Sequence, residues 1–324
     1  MCMNHGQLVR HKLRNNLQSL GLLALLALLL GSLAWVIGGE PLLWGTLLGV
    51  LILAAANPAI PPRLLMSLYR ARPVRPGEAP GLYRLLDALS QRAGLARVPQ
   101  LHYLPSATVN AFATGRRDDA AILVSDGLLR RLDRRELAAV LAHEVAHIAH
   151  DDIRVMALAD LVSRITAALS LAGQLLLLLV LPALVLGIDG LPWFPILILL
   201  AAPTLSALVQ LALSRSREYE ADRGAVELSG DPVALASALV KLEQTGRASW
   251  EQLLLPGRRL PEPSLLRTHP PTAERVERLR DLASSHATGF SSGSPLCLPR
   301  SEPSGCAGSL PLQTPRRHWT GLWY

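Results

Sequence analysis

The sequence predicts a mainly α-helical, α+β protein built around membrane-crossing helices. Three observations predict it. Four uncharged apolar stretches, residues 20–39, 41–62, 165–188 and 190–214, are each long enough to cross a bilayer, which takes about 20 residues. Polar segments between and after them carry apolar residues at helical spacing. Two short runs between residues 98 and 130 alternate as strands do.

The first stretch follows His11, Lys12 and Arg14, as a signal peptide would. Its apolar core is too long for that, and a second stretch follows at once, so the two form a hairpin spanning residues 20–62. The other two form a second hairpin, residues 165–214. The turns around Glu40 and Asp189 carry no Lys or Arg, whereas Arg10, Lys12, Arg14, Arg63, Arg70, Arg72, Arg75, Arg154, Arg164, Arg215 and Arg217 flank the outer ends. Basic residues stay on the cytosolic side, so both turns face out and the rest faces the cytosol. The expected organisation is a cytosolic segment 1–19, the first hairpin, a cytosolic block 63–164, the second hairpin, a second cytosolic block 215–284 that folds with the first, and a Ser/Gly/Pro-rich tail 285–324 without a core.

Composition agrees. Only 18% of the 324 residues are charged, against about 25% in soluble domains, and 50% are hydrophobic. The net charge of +7 is accounted for by the cytosolic flanks. Nucleic acid is not an expected partner, because no binding motif is present and aromatic residues make up only 4%. Cys2, Cys297 and Cys306 are too scattered for a disulfide framework.

In the soluble blocks, Leu82, Leu85, Leu86 and Leu89 mark a helix over 79–94. "VPQLHYLP" and "TVNAFATGRRDDAAILVSDGLL" read as strands with a turn at Gly115–Asp119. Asp133 and Glu136 form a capping box that opens a helix whose stripe is Leu137, Val140, Leu141, Val145 and Ile148. The fourth stretch should continue unbroken as a helix to Gly230. Asp231 and Pro232 cap a further helix through about Gln244, and "HPPTAERVERLRDLAS" is the last.

"HEVAH", residues 143–147, lies inside the capped helix. Residues four apart share a face, so His143 and His147 present two imidazoles to one metal ion. Glu144 is offset by about 100°, beside the ion rather than on it, where it can take a proton from a bound water. This is the pattern of a zinc hydrolase. The bland alternative is two surface histidines, but apolar residues flank them on both sides. A third ligand is needed. His150 lies about 10 Å along the axis from His143, too far on an unbroken helix. In "SREYEAD", Glu218 and Asp222 share a face, and Glu220 points elsewhere. Glu218 is therefore the expected ligand, with Asp222 hydrogen-bonded to a ligating histidine or to substrate. The alternative here is a charged helix face laced by Arg217 and Arg223.

"NAFATG" (110–115), "HEVAH" (143–147), "SREYEAD" (216–222) and "THPPTAERVERL" (268–279) occur in this order. Together with the four stretches they resemble the HtpX-type membrane zinc proteases of bacteria and archaea, relatives of the CAAX prenyl endopeptidases. The resemblance covers roughly residues 10–284. It implies a gluzincin-like zinc endopeptidase domain, one Zn²⁺ per subunit, a cell-membrane location with the catalytic domain in the cytoplasm, and misfolded or damaged membrane proteins as substrates. By position it makes His143, His147 and Glu218 the ligands and Glu144 the catalytic base. Asp222 matches the acid beside the third ligand. Asn110 matches a position near the scissile carbonyl on a substrate-aligning edge strand, the alternative being a plain strand and turn, and His269 matches a histidine before a Pro pair that either stabilises the oxyanion or caps the last helix.

Three other readings are open to the same sequence. A CAAX-type processing protease would have more spans. A non-catalytic membrane scaffold or chaperone would not need Glu144 and every proposed ligand in place. A metal transporter would carry ligands within its spans, which the four stretches do not.

Overall fold

The computed structural model describes residues 5–56, 62–185, 193–252 and 272–287. Helix α1 (His5–Ala56) contains the first two apolar stretches. Gly39 breaks it, with φ 66° and ψ −156°, a conformation open to glycine but not to residues with a Cβ. The two arms then fold back on each other. A Cβ at Gly31 would lie 3.1 Å from Leu43 and 3.5 Å from Leu47, residues that a straight helix would hold about 18 and 24 Å away.

Helices α6 (Asp152–Val185) and α7 (Trp193–Ser229) run antiparallel. Their cross-links show it, because partner numbers fall on one helix as they rise on the other. Gln210 donates to Asp160 at 3.3 Å, the Ser206 and Ser163 hydroxyls meet at 3.0 Å, and the Ser170 hydroxyl donates to the Leu199 carbonyl. Such polar bonds hold helices together where lipid offers no hydrophobic drive. Helix α6 starts well before the predicted stretch at 165. That boundary was drawn by charge, and Arg164 is neutralised along the helix by Asp160 at 2.7 Å.

Three helical segments, Leu17–Ile52, Asp152–Leu175 and Phe194–Ser229, are long and apolar enough to cross a membrane. Leu28, Leu48 and Leu51 on α1, Leu175 on α6 and Leu197 and Leu208 on α7 are each more than half exposed. An apolar belt of this kind needs lipid to cover it. The chain is a membrane protein.

The remaining elements build a small mixed sheet and the helices against it. β1 (Arg72–Pro73), β2 (Gln100–Leu104), β3 (Ala111–Arg116) and β4 (Asp119–Ser125) stand in the order β1-β2-β4-β3. β2 and β4 are parallel, whereas β3 and β4 form an antiparallel hairpin with Phe112 opposite Leu123. β4 is buried along six of its seven residues, as expected for the strand with a neighbour on each side. β3 is an edge among the described residues, as the resemblance implied for "NAFATG". Gly115 closes this hairpin at φ 93°, where a Cβ would sit 2.2 Å from the Asp119 carbonyl oxygen. α2 (Pro62–Leu68), α4 (Asp126–Arg131) and β1 were not predicted, being too short to show a period. α3 (Pro80–Arg92), α8 (Pro232–Gln252) and α9 (Thr272–Ala287) are the expected helices, α8 running eight residues further.

At the centre is α5 (Arg134–Ala149), buried from Ala138 to Ala146. Its capping box forms as read. The Asp133 side chain accepts from the Arg135 and Glu136 amides, and Glu136 accepts from the Asp133 amide at 2.9 Å. Glu136 also receives Ser237 and Lys241 of α8, each at 2.7 Å. Burial works to raise its pKa, but these two donors and the cap amide outweigh it and lower the pKa below the usual glutamate value. A depressed folded pKa contributes stability above the ordinary glutamate range, and that contribution is lost as pH falls through the folded value. At neutral pH, Glu136→Gln is expected to cost about 1–3 kcal/mol in denaturant titrations of the detergent-solubilised protein. The deficit should shrink below about pH 4. A deficit unchanged in acid would contradict the ion pair.

Candidate metal centre

Helices α5 and α7 face each other across the site. Their approach is close because Gly224 has no side chain. A Cβ there would sit 2.9 Å from the Ala146 Cβ and 3.1 Å from the His150 ring. One turn apart on α5, His143 and His147 present their Nε2 atoms to each other at 3.1 Å, rings nearly perpendicular. Glu218 enters from α7, with its carboxylate oxygens 3.5 Å from His143 Nε2 and 3.7 Å from His147 Nε2. Among the described residues these three form the candidate metal-holding group, their donor atoms all within 4.8 Å of one another. A tetrahedral ion with bonds of about 2.0–2.1 Å separates its ligand atoms by about 3.4 Å. The distance between the two Nε2 atoms and the approach of one carboxylate oxygen to each of them lie close to that value, so the donor set fits such an ion.

Each far nitrogen also has a carboxylate beside it, in hydrogen-bond geometry at His147. His143 Nδ1 lies 3.1 Å from Asp222, one turn beyond Glu218 on α7. His147 Nδ1 lies 2.9 Å from Asp152, in the first turn of α6. A carboxylate on Nδ1 fixes the proton there and turns the Nε2 lone pair toward a metal. Arg275 of α9 clamps Asp222 with two bonds of 2.7 and 2.6 Å and reaches Glu218 at 3.1 Å. Arg217 of α7 donates to Asp152 at 3.2 Å. Glu144 is buried on α5 beside His143.

Charge gives a second test of fit. Glu144, Asp152, Glu218 and Asp222 are buried carboxylates, and Arg217 and Arg275 are buried guanidinium groups. With neutral imidazoles a formal surplus of two negative charges remains, which a divalent cation matches. Before an ion is loaded, a proton serves. Burial opposes charging His143, but the carboxylates of Asp222 and Glu218 overcome it and push its pKa up to about 10.

Residues 76–283 match the model of peptidase family M48. The chain belongs to that family. It is 37% identical to a protease HtpX homolog of Acaryochloris marina over 83% of this chain and 94% of that protein. It is 33% identical to one of Thermococcus sibiricus, over 83% and 96%, and 38% identical to one of Kineococcus radiotolerans, over 68% and 79%. It is therefore a metalloprotease of the HtpX type. A crystal structure of S. mikatae Ste24p aligns with a TM-score of 0.43 at 22% identity, over 82% of this chain and 65% of that one.

Of the residues singled out in this M48 chain, His143, His147, Glu218 and Asp222 come together, and Glu144 lies beside them. His150 and Glu220 are not in the three-residue group. Arg217 does not lace a solvated face, being 6% exposed. Asn110 stands at the head of the edge strand, its backbone paired both ways with Ser125, to the hydroxyl at 2.9 Å and from the amide at 3.0 Å. His269 lies outside the described residues, as do residues 288–324 of the tail. Asp152, Arg217 and Arg275 were missed as parts of the site. A signal existed for one of them: Asp152 follows His147 by five residues, just past the break at Asp151, whose φ is 56°.

Metal uptake must displace the His143 proton. In calorimetry repeated in buffers of different ionisation enthalpy, at least one proton should leave per ion at pH 8, since, against burial, the neighbouring carboxylate of Asp152 raises the pKa of His147 as well. The release should fade, and the apparent affinity stop rising, as pH passes about 10. Uptake without proton release at pH 8 would contradict the pairing of His143 with Asp222 and Glu218.

Proposed function

We propose that this protein is a zinc endopeptidase that cleaves misfolded or damaged membrane proteins at the cytosolic face of the cell membrane of a bacterium or archaeon. The observation that carries the reading is the triangle of His143, His147 and Glu218 with Glu144 next to it on the same helix. Two imidazoles and one carboxylate suit zinc among the divalent ions, and one ion per chain fills the triangle. Bound zinc would polarise the scissile carbonyl and acidify a coordinated water. Glu144 takes the proton of the attacking water and passes it to the nitrogen of the departing peptide. An extended substrate segment adds as a strand along β3, whose outer edge has no strand partner among the described residues. Asn110, at the head of that strand, orients the scissile carbonyl. His269 donates to the oxyanion.

The membrane arrangement follows from α1 and from the charge pattern. The two arms of α1 and the pair α6 and α7 make four crossings, with the Arg-rich ends on the cytosolic side. Glu218 lies four residues beyond the apolar stretch 190–214, about 6 Å of helix, so the site sits at the cytosolic membrane surface. Segments leaving the bilayer reach it without travelling far. Nucleic acid has no part in this reading.

Glu144→Gln tests it. On full-length protein in detergent, with zinc and an unfolded or membrane-protein substrate, the variant should keep one zinc and lose cleavage by about 10²–10⁴-fold. A variant that cleaves like wild type would remove Glu144 from the chemistry. Zinc-loaded wild type that cleaves nothing would return the scaffold reading.

A further inference from the structure

His147 is one end of a buried line of hydrogen bonds that leaves the metal centre and ends on the first membrane helix. Its Nδ1 donates to one oxygen of Asp152 at 2.9 Å. The other oxygen of Asp152 accepts from Arg217 Nη1 at 3.2 Å. The second terminal nitrogen of Arg217 donates to the hydroxyl of Ser19. Ser19, Arg217 and Asp152 are 3%, 6% and 2% exposed, so water does not replace a lost partner in any of them. Three separate segments supply the groups: α1 gives Ser19, α7 gives Arg217 and α6 gives Asp152.

Each link has a reason to be there. Asp152 must stay ionised and fixed to hold the proton on Nδ1 of His147 and leave Nε2 for a metal. A carboxylate this deeply buried needs a cation, which Arg217 supplies. Arg217 has a planar fork, so its aim at Asp152 is set by whatever holds its second nitrogen. That partner is Ser19, at the start of the segment Leu17–Ile52 of α1, which is long and apolar enough to cross a membrane.

We propose that Ser19 is a positioning residue of the metal centre: it orients Arg217 and, through Asp152, the ligand His147, so that the site is completed only when the first membrane hairpin is docked against α6 and α7. The proposal rests on the metalloprotease reading above. Neither Ser19 nor Arg217 touches substrate. Their effect is on how well His147 binds the ion and how fast the loaded site turns over.

The test uses full-length protein in nanodiscs and four variants, Ser19→Ala, Ser19→Thr, Arg217→Ala and the double variant Ser19→Ala with Arg217→Ala. Metal affinity is read by chelator competition, ligand geometry by the visible spectrum of the Co²⁺-loaded protein, and folding by thermal melts of the metal-free protein. Loss of an outer partner of a ligating histidine typically weakens metal binding by about 10–100-fold. Arg217→Ala should fall in that range, and Ser19→Ala at its lower end, with an altered Co²⁺ spectrum. Turnover should fall while KM stays within about twofold. Ser19→Thr keeps the hydroxyl and should restore affinity and spectrum. The double variant should bind metal no more weakly than Arg217→Ala alone, because Ser19 acts through Arg217. Full additivity would overturn the proposal. So would a Ser19→Ala protein that melts lower yet keeps the wild-type affinity and spectrum, which is what a purely structural serine would give. Wild type that binds no metal would overturn this proposal and the zinc reading together, whereas an unaffected Ser19→Ala variant of a zinc-loaded, active wild type overturns this proposal alone.

Discussion

Four carboxylates buried among apolar helices set the terms for the rest of the molecule. Glu144, Asp152, Glu218 and Asp222 are each less than 9% exposed. Leaving a charge in such surroundings without a partner costs several kcal/mol. The chain brings partners from every side: Arg275 from α9, Arg217 from α7 itself, and the two imidazoles from α5. The helices are therefore placed as much by charge compensation as by apolar packing. Close approach of α5 and α7, permitted by Gly224, makes the compensation possible. What remains is a formal deficit of two positive charges, the value a divalent ion supplies. In the metal-free protein the raised pKa values of His143 and His147 express the same deficit as an affinity for protons.

This arrangement also explains how membrane and chemistry are joined. Helices α6 and α7 carry the long apolar faces, and both reach the site with their polar ends, Asp152 on one and Glu218 and Asp222 on the other. No linker separates span from site. Movement of α7 against α5 changes the distances among the three donors directly, and movement of α6 acts on them through Asp152. The contact between Arg217 and Ser19 extends this link to α1.

Much of this was legible in the sequence because the responsible patterns are local. The spacing of His143 and His147, and of Glu218 and Asp222, needs only helical periodicity. The Asp133–Glu136 box fixed the start of α5, and Gly230 the end of α7. Pairing "HEVAH" with "SREYEAD" across 68 intervening positions rested on residue type and was supported by the resemblance, since spacing along the chain says nothing about which helix faces α5. Arg275 and Arg217 were illegible for the same reason. An arginine that closes a buried ion pair looks in sequence like any surface arginine. The short elements α2, α4 and β1 exist through tertiary contacts, with Met66 packed on Phe112 and Leu123, and carry no period of their own. The bend at Gly39 was anticipated as a turn, and the closeness of its arms depends on Gly31, one small residue within an apolar run.

The account stands on the claim that α5 and α7 hold one ion between two imidazoles and one carboxylate. X-ray absorption at the zinc edge of the full-length, zinc-loaded protein tests this most directly, with His143→Ala and Glu218→Ala measured alongside. The account predicts two imidazole nitrogens and oxygen donors at about 2.0–2.1 Å, with one imidazole lost in the first variant and the imidazole pair kept in the second. A shell containing sulfur, a shell of oxygen alone, or a spectrum unchanged by His143→Ala would contradict it.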